Sequence, residues 1–384
     1  KPPPLIIQKI PDLHQFSIFF TVDQSIQDQV LAIPNNVHLD RAEGAFLGMP
    51  IADSLGARLE FMDASEKPPN LFEYNQASGG KFDDNVENRF GLELGQWSDD
   101  ASMGLCLADS ILTQKGYNGS NLRLWFWNWW YNGLNNAHRL EPRKDKKFTS
   151  CGLGTNISRS LDDMTRNNRT TTPNKRFVDV TEDAGNGSLM RLAAVPIFFS
   201  KDPIVAANMG AEQSYTTNPG KLAADACAFM SYFIASAINR TDETPIKEFI
   251  DTTIIAFLTI FKPHFSSDCI YLLQSFAPSE KEACWNWKAE PLLIDATLDA
   301  RLKDGDKYNG YVTSRGYFGA FSLDGLAMAL HAVYTTVSFD AAITKVINFA
   351  GDADTTGSIC GQIAGAFYGK SSINKKWIEN LHRY

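Results

Sequence analysis

The chain has no paired cysteine spacing. Its six cysteines (Cys106, Cys151, Cys227, Cys269, Cys284 and Cys360) include no CxxC, and several lie in apolar, helix-like contexts. Buried free thiols account for such a set, which points to the cytoplasm or another reducing intracellular compartment. The six histidines are scattered, without HExxH and without a neighbouring cysteine pair, so no zinc site is expected. Uninterrupted apolar runs fall short of the roughly 20 residues of a spanning helix, so no membrane span is expected. Basic residues are outnumbered, 36 against 44 acidic ones for a formal charge of −8, and no basic cluster exceeds Arg143-Lys-Asp-Lys-Lys147. That is no footprint of a general nucleic-acid binder, and a polyanionic ligand would need backbone amides, helix N-termini or metal. Neither GxGxxG nor a GKS or GKT phosphate loop occurs.

What is present reads as helix. The chain has 384 residues, 44% of them hydrophobic and 12% aromatic, ample for a substantial core. Helical patterns cover roughly 203–214, 220–238, 246–260, 290–303, 325–336, 339–349, 354–369 and 372–382. Strand signals are few, no repeat has a fixed period, and no linker divides the chain. The expected architecture is all-α: one compact multi-helix domain over 39–384, preceded by a Pro-rich extension over 1–38. Within Asp40–Phe61 the small residues Gly44, Ala45, Gly48, Ala52 and Gly56 recur at helical spacing, so another backbone can come close, while Pro50 predicts a kink or a break. The following 62–96 is weakly periodic, and a segment that long without structure of its own reads as a lid or binding loop. The aromatic run Trp125–Tyr131 could stack a base, but at its mixed spacing it reads as core.

Chemistry concentrates at two helix starts. Asp352, Asp354 and Thr355 precede the small-residue run ending at Gly369, and Ser98, Asp99 and Asp100 open a second apolar pattern. Each trio could simply cap its helix. Each could equally converge hard oxygen ligands on a cation, and two such clusters meeting in an acidic protein would repel one another without one. Gly185-Asn186-Gly187-Ser188 is a turn entering a helix, which exposes backbone N–H groups suited to phosphate. Asn-Gly is also a common turn dipeptide. Glu60, at the base of 62–96, is either a solvated helix-end charge or a carboxylate at a lid hinge.

These four elements, in this order and spacing over about residues 40–370, resemble the ADP-ribosylglycohydrolase family. The resemblance implies an all-α fold with a binuclear metal cleft, holding two Mg²⁺ or in some members Mn²⁺. Ser98, Asp99 and Asp100 would supply one side of that site, and Asp352, Asp354 and Thr355 the other. Gly185, Asn186, Gly187 and Ser188 would hold the ribose and pyrophosphate of ADP-ribose, with Thr217 or Asn218 toward the adenine side. Glu60, on a mobile flap, would act in catalysis with Asp99 and Asp100. The implied activity is hydrolysis of the bond between ribose C1″ and a protein side chain, on an ADP-ribosylated protein. Alternatives are a non-catalytic ADP-ribose binder or a hydrolase of small ADP-ribosyl compounds. Three departures stand out: Ala52-Asp53 stands for the family's Gly-Asp on the first helix, Ala101 replaces the second Thr of the usual Thr-Asp-Asp-Thr, and Thr217-Asn218-Pro219 stands where many members carry a His.

Overall fold

The computed structural model describes residues 35–67, 70–137, 150–167, 184–308 and 311–382. The expected N-terminal extension up to residue 34 and the basic cluster over 143–147 lie outside them.

The chain is built from helices α1 (Val37–Gly56), α2 (Asp99–Gln114), α3 (Gly119–Asn132), α4 (Thr155–Asn167), α5 (Ala194–Phe198), α6 (Pro203–Ser214) and α7 (Lys221–Asn239). Then follow α8 (Ile246–Phe261), α9 (Ser267–Leu273), α10 (Ile294–Asp304), α11 (Ser322–Thr335), α12 (Phe339–Asn348), α13 (Ala353–Tyr368) and α14 (Lys375–Asn380). Among the described residues, strand is confined to two antiparallel hairpins, Phe72–Glu73 with Lys81–Phe82 and Lys307–Tyr308 with Tyr311–Val312. Side chains start several of the helices: Asn36 accepts from the His38 and Leu39 amides, and Asp202 accepts from Ile204 and Val205 just beyond Pro203.

The central packing is α1 against α13, and its closeness follows from the small residues. A Cβ on Gly48 would lie 2.1 Å from the Gly361 carbonyl, and one on Gly361 would lie 2.1 Å from that of Gly48. One turn on, a Cβ on Gly365 would lie 2.0 Å from the Gly44 carbonyl. The two backbones touch, which brings the C-terminal end of α1 to the N-terminal end of α13. Pro50 lies inside α1 without breaking it.

The aromatic run is core: Trp125, Phe126, Trp127 and Trp129 are buried on α3. Helix α7 is long and apolar enough to cross a membrane by length and composition, but 89% of its apolar window is buried inside the protein. All six cysteines are free thiols, five of them buried, with Cys151 half-buried. Helices α6, α7 and α8 match the sequence expectation to within about a residue. Helix α10 starts only at Ile294, after Pro291, and α9 was not expected. Seven residues are too few to display a helical period.

Candidate active site

Three chain segments converge at one end of the α1–α13 seam. Helix α1 contributes Asp53 and, through the turn after it, Glu60. Helix α2 opens with Ser98–Asp100 and α13 with Asp352–Thr355. Ser98 and Asp352 occupy the N-cap positions of α2 and α13, yet neither side chain makes a capping hydrogen bond. The orphan amides of α2 are served from another helix: Ser98 N and Ala101 N donate to the two carboxylate oxygens of Asp53, at 2.8 and 3.0 Å. The Ala101 side chain is fully buried, and that position contributes its N–H rather than a side-chain oxygen.

Relieved of capping, the acidic side chains face one another. Oxygens of Asp53, Asp100 and Asp354 all lie within 4.8 Å of one another, as do those of Glu60, Asp352 and Asp354, so Asp354 belongs to both groups. Ser98 Oγ lies 3.1 Å from both Asp100 Oδ2 and Asp354 Oδ2, within donating reach of either. Every one of these carboxylates is buried, and among the described residues no Lys or Arg pairs with any of them. Glu60 Oε2 and Asp100 Oδ1 are buried without a hydrogen-bond partner.

The electrostatics follow. Burial, then the charge of Asp354, pushes the Asp53 carboxyl up to about 7. Burial also lifts Glu60 well above the carboxylate range, reinforced by Asp354, Asp352 and Asp99. Asp99 and Asp100 are raised by burial and then by Asp100 and Asp53 respectively, and Asp354 by burial and then by Asp100 and Asp352. Asp352 is raised by burial and partly relieved by the Asn186 amide. Uncompensated buried carboxylates of this density call for a cation. The donor set is oxygen throughout, two of its oxygens are buried without a partner, and it fits a hard divalent ion.

Glu60, Asp99, Asp352 and Asp354 line a cleft of about 480 Å³ together with Gly185, Asn186, Gly187, Asn218 and Thr355, while Ser98, Asp53 and Asp100 lie buried behind that surface. Asn186 ties its loop to the acidic floor, its Nδ2 donating to Asp352 Oδ2 at 2.6 Å and to the Gly319 carbonyl at 3.0 Å. Asn218 Nδ2 donates to the Gly185 carbonyl at 2.9 Å.

The sequence expectation needs correction at three points. Ser188 does not line the cleft; it is buried and accepts from Ser214 Oγ at 2.8 Å. Thr217 also stands behind the wall, donating to Asn218 Oδ1 at 2.7 Å and accepting from Arg191 Nη2 at 3.0 Å. Asn186–Ser188 forms a three-residue 3₁₀ turn, so no helix dipole backs a phosphate there. The residue types were compatible with ligand contact, but which way each one faces depends on tertiary packing.

Two features escaped the sequence reading. One is the role of Asp53, which the sequence places in the Ala52-Asp53 counterpart of the family's Gly-Asp without marking it as a site residue. The other is a further part of the cleft lining, Arg301 and Asp324 together with Phe321 and with Phe318, whose ring lies under the Arg301 guanidinium. Arg301 grips Asp324 in a two-pronged ion pair, which also takes the Trp285 indole N–H at 2.9 Å.

Comparison with known proteins agrees with this geometry. A family model described as ADP-ribosylglycohydrolase matches residues 34–384. The chain is 26% identical over 349 residues to an ADP-ribosylarginine hydrolase, Tri1, of Serratia proteamaculans, covering 91% of this chain and 77% of that protein. It is 24% identical over 346 residues to the ADP-ribosyl-[dinitrogen reductase] glycohydrolase of Rhodospirillum rubrum, covering 90% and 91%. Among solved structures, an ADP-ribosylglycohydrolase-related protein complex shares the fold, with a TM-score of 0.62 at 22% identity over 90% of this chain and 93% of that one. With the matched region running through every element that builds the acidic cleft, the chain belongs to the ADP-ribosylglycohydrolase family.

Proposed function

We propose that this protein is a divalent-cation-dependent hydrolase that frees ADP-ribose from modified protein side chains by cleaving the bond at ribose C1″, with ADP-ribosylated arginine as its substrate class. The observation that carries the reading is the meeting of Asp53, Glu60, Asp100, Asp352 and Asp354 in one buried cluster that no Lys or Arg among the described residues pairs with. The arginine linkage is supported by the activity named for the Serratia relative and by its similarity over most of both chains.

Ser98, Asp99, Asp100, Asp352, Asp354 and Thr355 would hold two Mg²⁺, or Mn²⁺ in their place. Bound there, the ions would neutralise the carboxylates and grip ribose hydroxyls, favouring the charge that develops as the glycosidic bond breaks. Asp53 organises the start of α2 through two amides and thereby aims Ser98 and Asp100. Asn186 orients Asp352. Glu60, which lines the cleft beside Asp352 and Asp354 and keeps one buried oxygen without a partner, is the group placed to stabilise the oxocarbenium-like ribose or to move a proton at the departing nitrogen. Gly185, Asn186, Gly187 and Asn218 form the opposite wall for the body of the ligand. Ala101 lacks the hydroxyl of the usual Thr but leaves the backbone bond from its N–H to Asp53 in place, so the organisation of the α2 start does not depend on that departure.

The test is release of free ADP-ribose from arginine- and serine-linked peptides, with Mg²⁺ and after EDTA. Mg²⁺-dependent release from the arginine peptide supports the proposal. Equal release in EDTA, or binding of ADP-ribose without turnover of either peptide, overturns it.

A further inference from the structure

Glu60 is expected on a mobile flap, but the backbone around it is fastened on both sides. Phe61 N donates to the Gly351 carbonyl at 2.9 Å, and Gly351 N donates to the Met62 carbonyl at 2.9 Å. This reciprocal pair joins the residues just after Glu60 to the residue just before Asp352. The next amide, Asp352 N, donates to the Phe318 carbonyl at 2.9 Å, so a third strand of chain braces the same point.

The latch requires unusual backbone. Phe61 has φ +67°, in the left-handed region that a bulky side chain rarely adopts, and Gly351 opposite it has φ +70°. Gly351 has no room for a Cβ, which would lie 2.4 Å from the Phe318 carbonyl. A Cβ on Gly316 would approach the Phe61 carbonyl to 2.9 Å, so the far side of the turn is closed as well. The strained residue is held by its ring, which packs edge-on against Phe90 at 5.8 Å and Tyr317 at 5.2 Å and lies under the Arg89 guanidinium. Strain of this kind persists only where the surroundings over-determine it, and it concentrates at functional sites.

We propose that Phe61 is a positioning residue. Its left-handed backbone, latched to Gly351, fixes Glu60 and the Asp352 turn as one rigid unit, and any movement of the 62–96 segment occurs beyond the latch. The inference deepens the reading of Glu60 given above and rests on it.

The test separates backbone from ring. Asn tolerates the left-handed region and lacks the ring, whereas Val stays apolar but resists that conformation. In Mg²⁺-loaded protein, Phe61→Asn is expected to keep kcat within about threefold while raising KM, and Phe61→Val to lose kcat by about tenfold or more. Crystal structures of both variants, prepared without metal, give a readout independent of turnover. The Glu60 carboxylate should stay beside Asp352 and Asp354 in Phe61→Asn and leave them in Phe61→Val. Unchanged kcat and Glu60 position in Phe61→Val, or equal loss of kcat in both variants, would overturn the latch. Full turnover in Glu60→Gln or in EDTA would overturn the functional reading instead, so the two failures are distinguishable.

Discussion

The two ends of the cleft treat buried charge in opposite ways. At one end Arg301 and Asp324 form a buried two-pronged ion pair; burial pulls the Arg301 pKa down, and Asp324 more than offsets it. At the other, five carboxylates crowd together with no basic partner among the described residues. The first arrangement is complete in itself and works as structure. The second is incomplete in the same physical sense, because taking charge out of water without an opposite charge is unfavourable. The difference marks the acidic end as the one whose charge could be balanced by a bound cation.

Substitutions at the two ends should therefore differ in sign as well as size. Asp354 belongs to both carboxylate groups, and Asp354→Asn should lower kcat on the order of 10²–10³-fold, the scale for losing one key electrostatic group. In metal-free protein near pH 8 the same change should raise the melting temperature, because it removes a repelling charge. Arg301→Met should do the reverse to stability, costing about 3–5 kcal/mol by stranding Asp324. Denaturant unfolding measures it, and Arg301→Met with Asp324→Leu should recover most of the loss. Asp53→Asn retains one acceptor for two amides and should weaken Mg²⁺ affinity by about 10–100-fold in calorimetry, as for residues that orient ligands.

The smallest effect is in pH. Folded-state carboxyl pKa values raised above the unfolded value mean that the metal-free fold binds protons the unfolded chain has released, so its stability falls as pH rises. The window runs from the unfolded carboxylate range, near 4, up through about 7 for Asp53 and higher for the groups raised further. Thermal melts should show metal-free protein losing several degrees between pH 6 and 8, and Mg²⁺ should flatten that slope. A slope unchanged by Mg²⁺ would erase the contrast between the two ends.

The contrast was half visible in the sequence. The glycines and alanines of α1 and α13 signalled close packing, and the seam exists, with Gly48 and Gly361 in direct apposition. The aromatic run on α3 is core, as its mixed spacing indicated. Local pattern reaches that far because helix periodicity is a property of neighbours in the chain. Asp53 was legible only as part of the Ala52-Asp53 motif and not for what it does, since its neighbours Ser98, Ala101 and Asp354 are 45, 48 and 301 positions away and only folding joins them. Ser188 and Thr217 were legible as polar turn residues, but the side they face is decided by Ser214 and Arg191, which no local spacing encodes. Arg301 and Asp324, 23 apart on different helices, were invisible for the same reason.

The central claim is that the acidic floor is a cation site on which hydrolysis depends. Its most direct test strips the protein with EDTA, titrates Mg²⁺ back by calorimetry, and follows ADP-ribose release from an arginine-modified peptide on the same samples. The account predicts that turnover is lost with the metal and returns in step with Mg²⁺ occupancy, and that Asp354→Asn does neither. Full turnover in the stripped protein, or undiminished Mg²⁺ binding by Asp354→Asn, would contradict it.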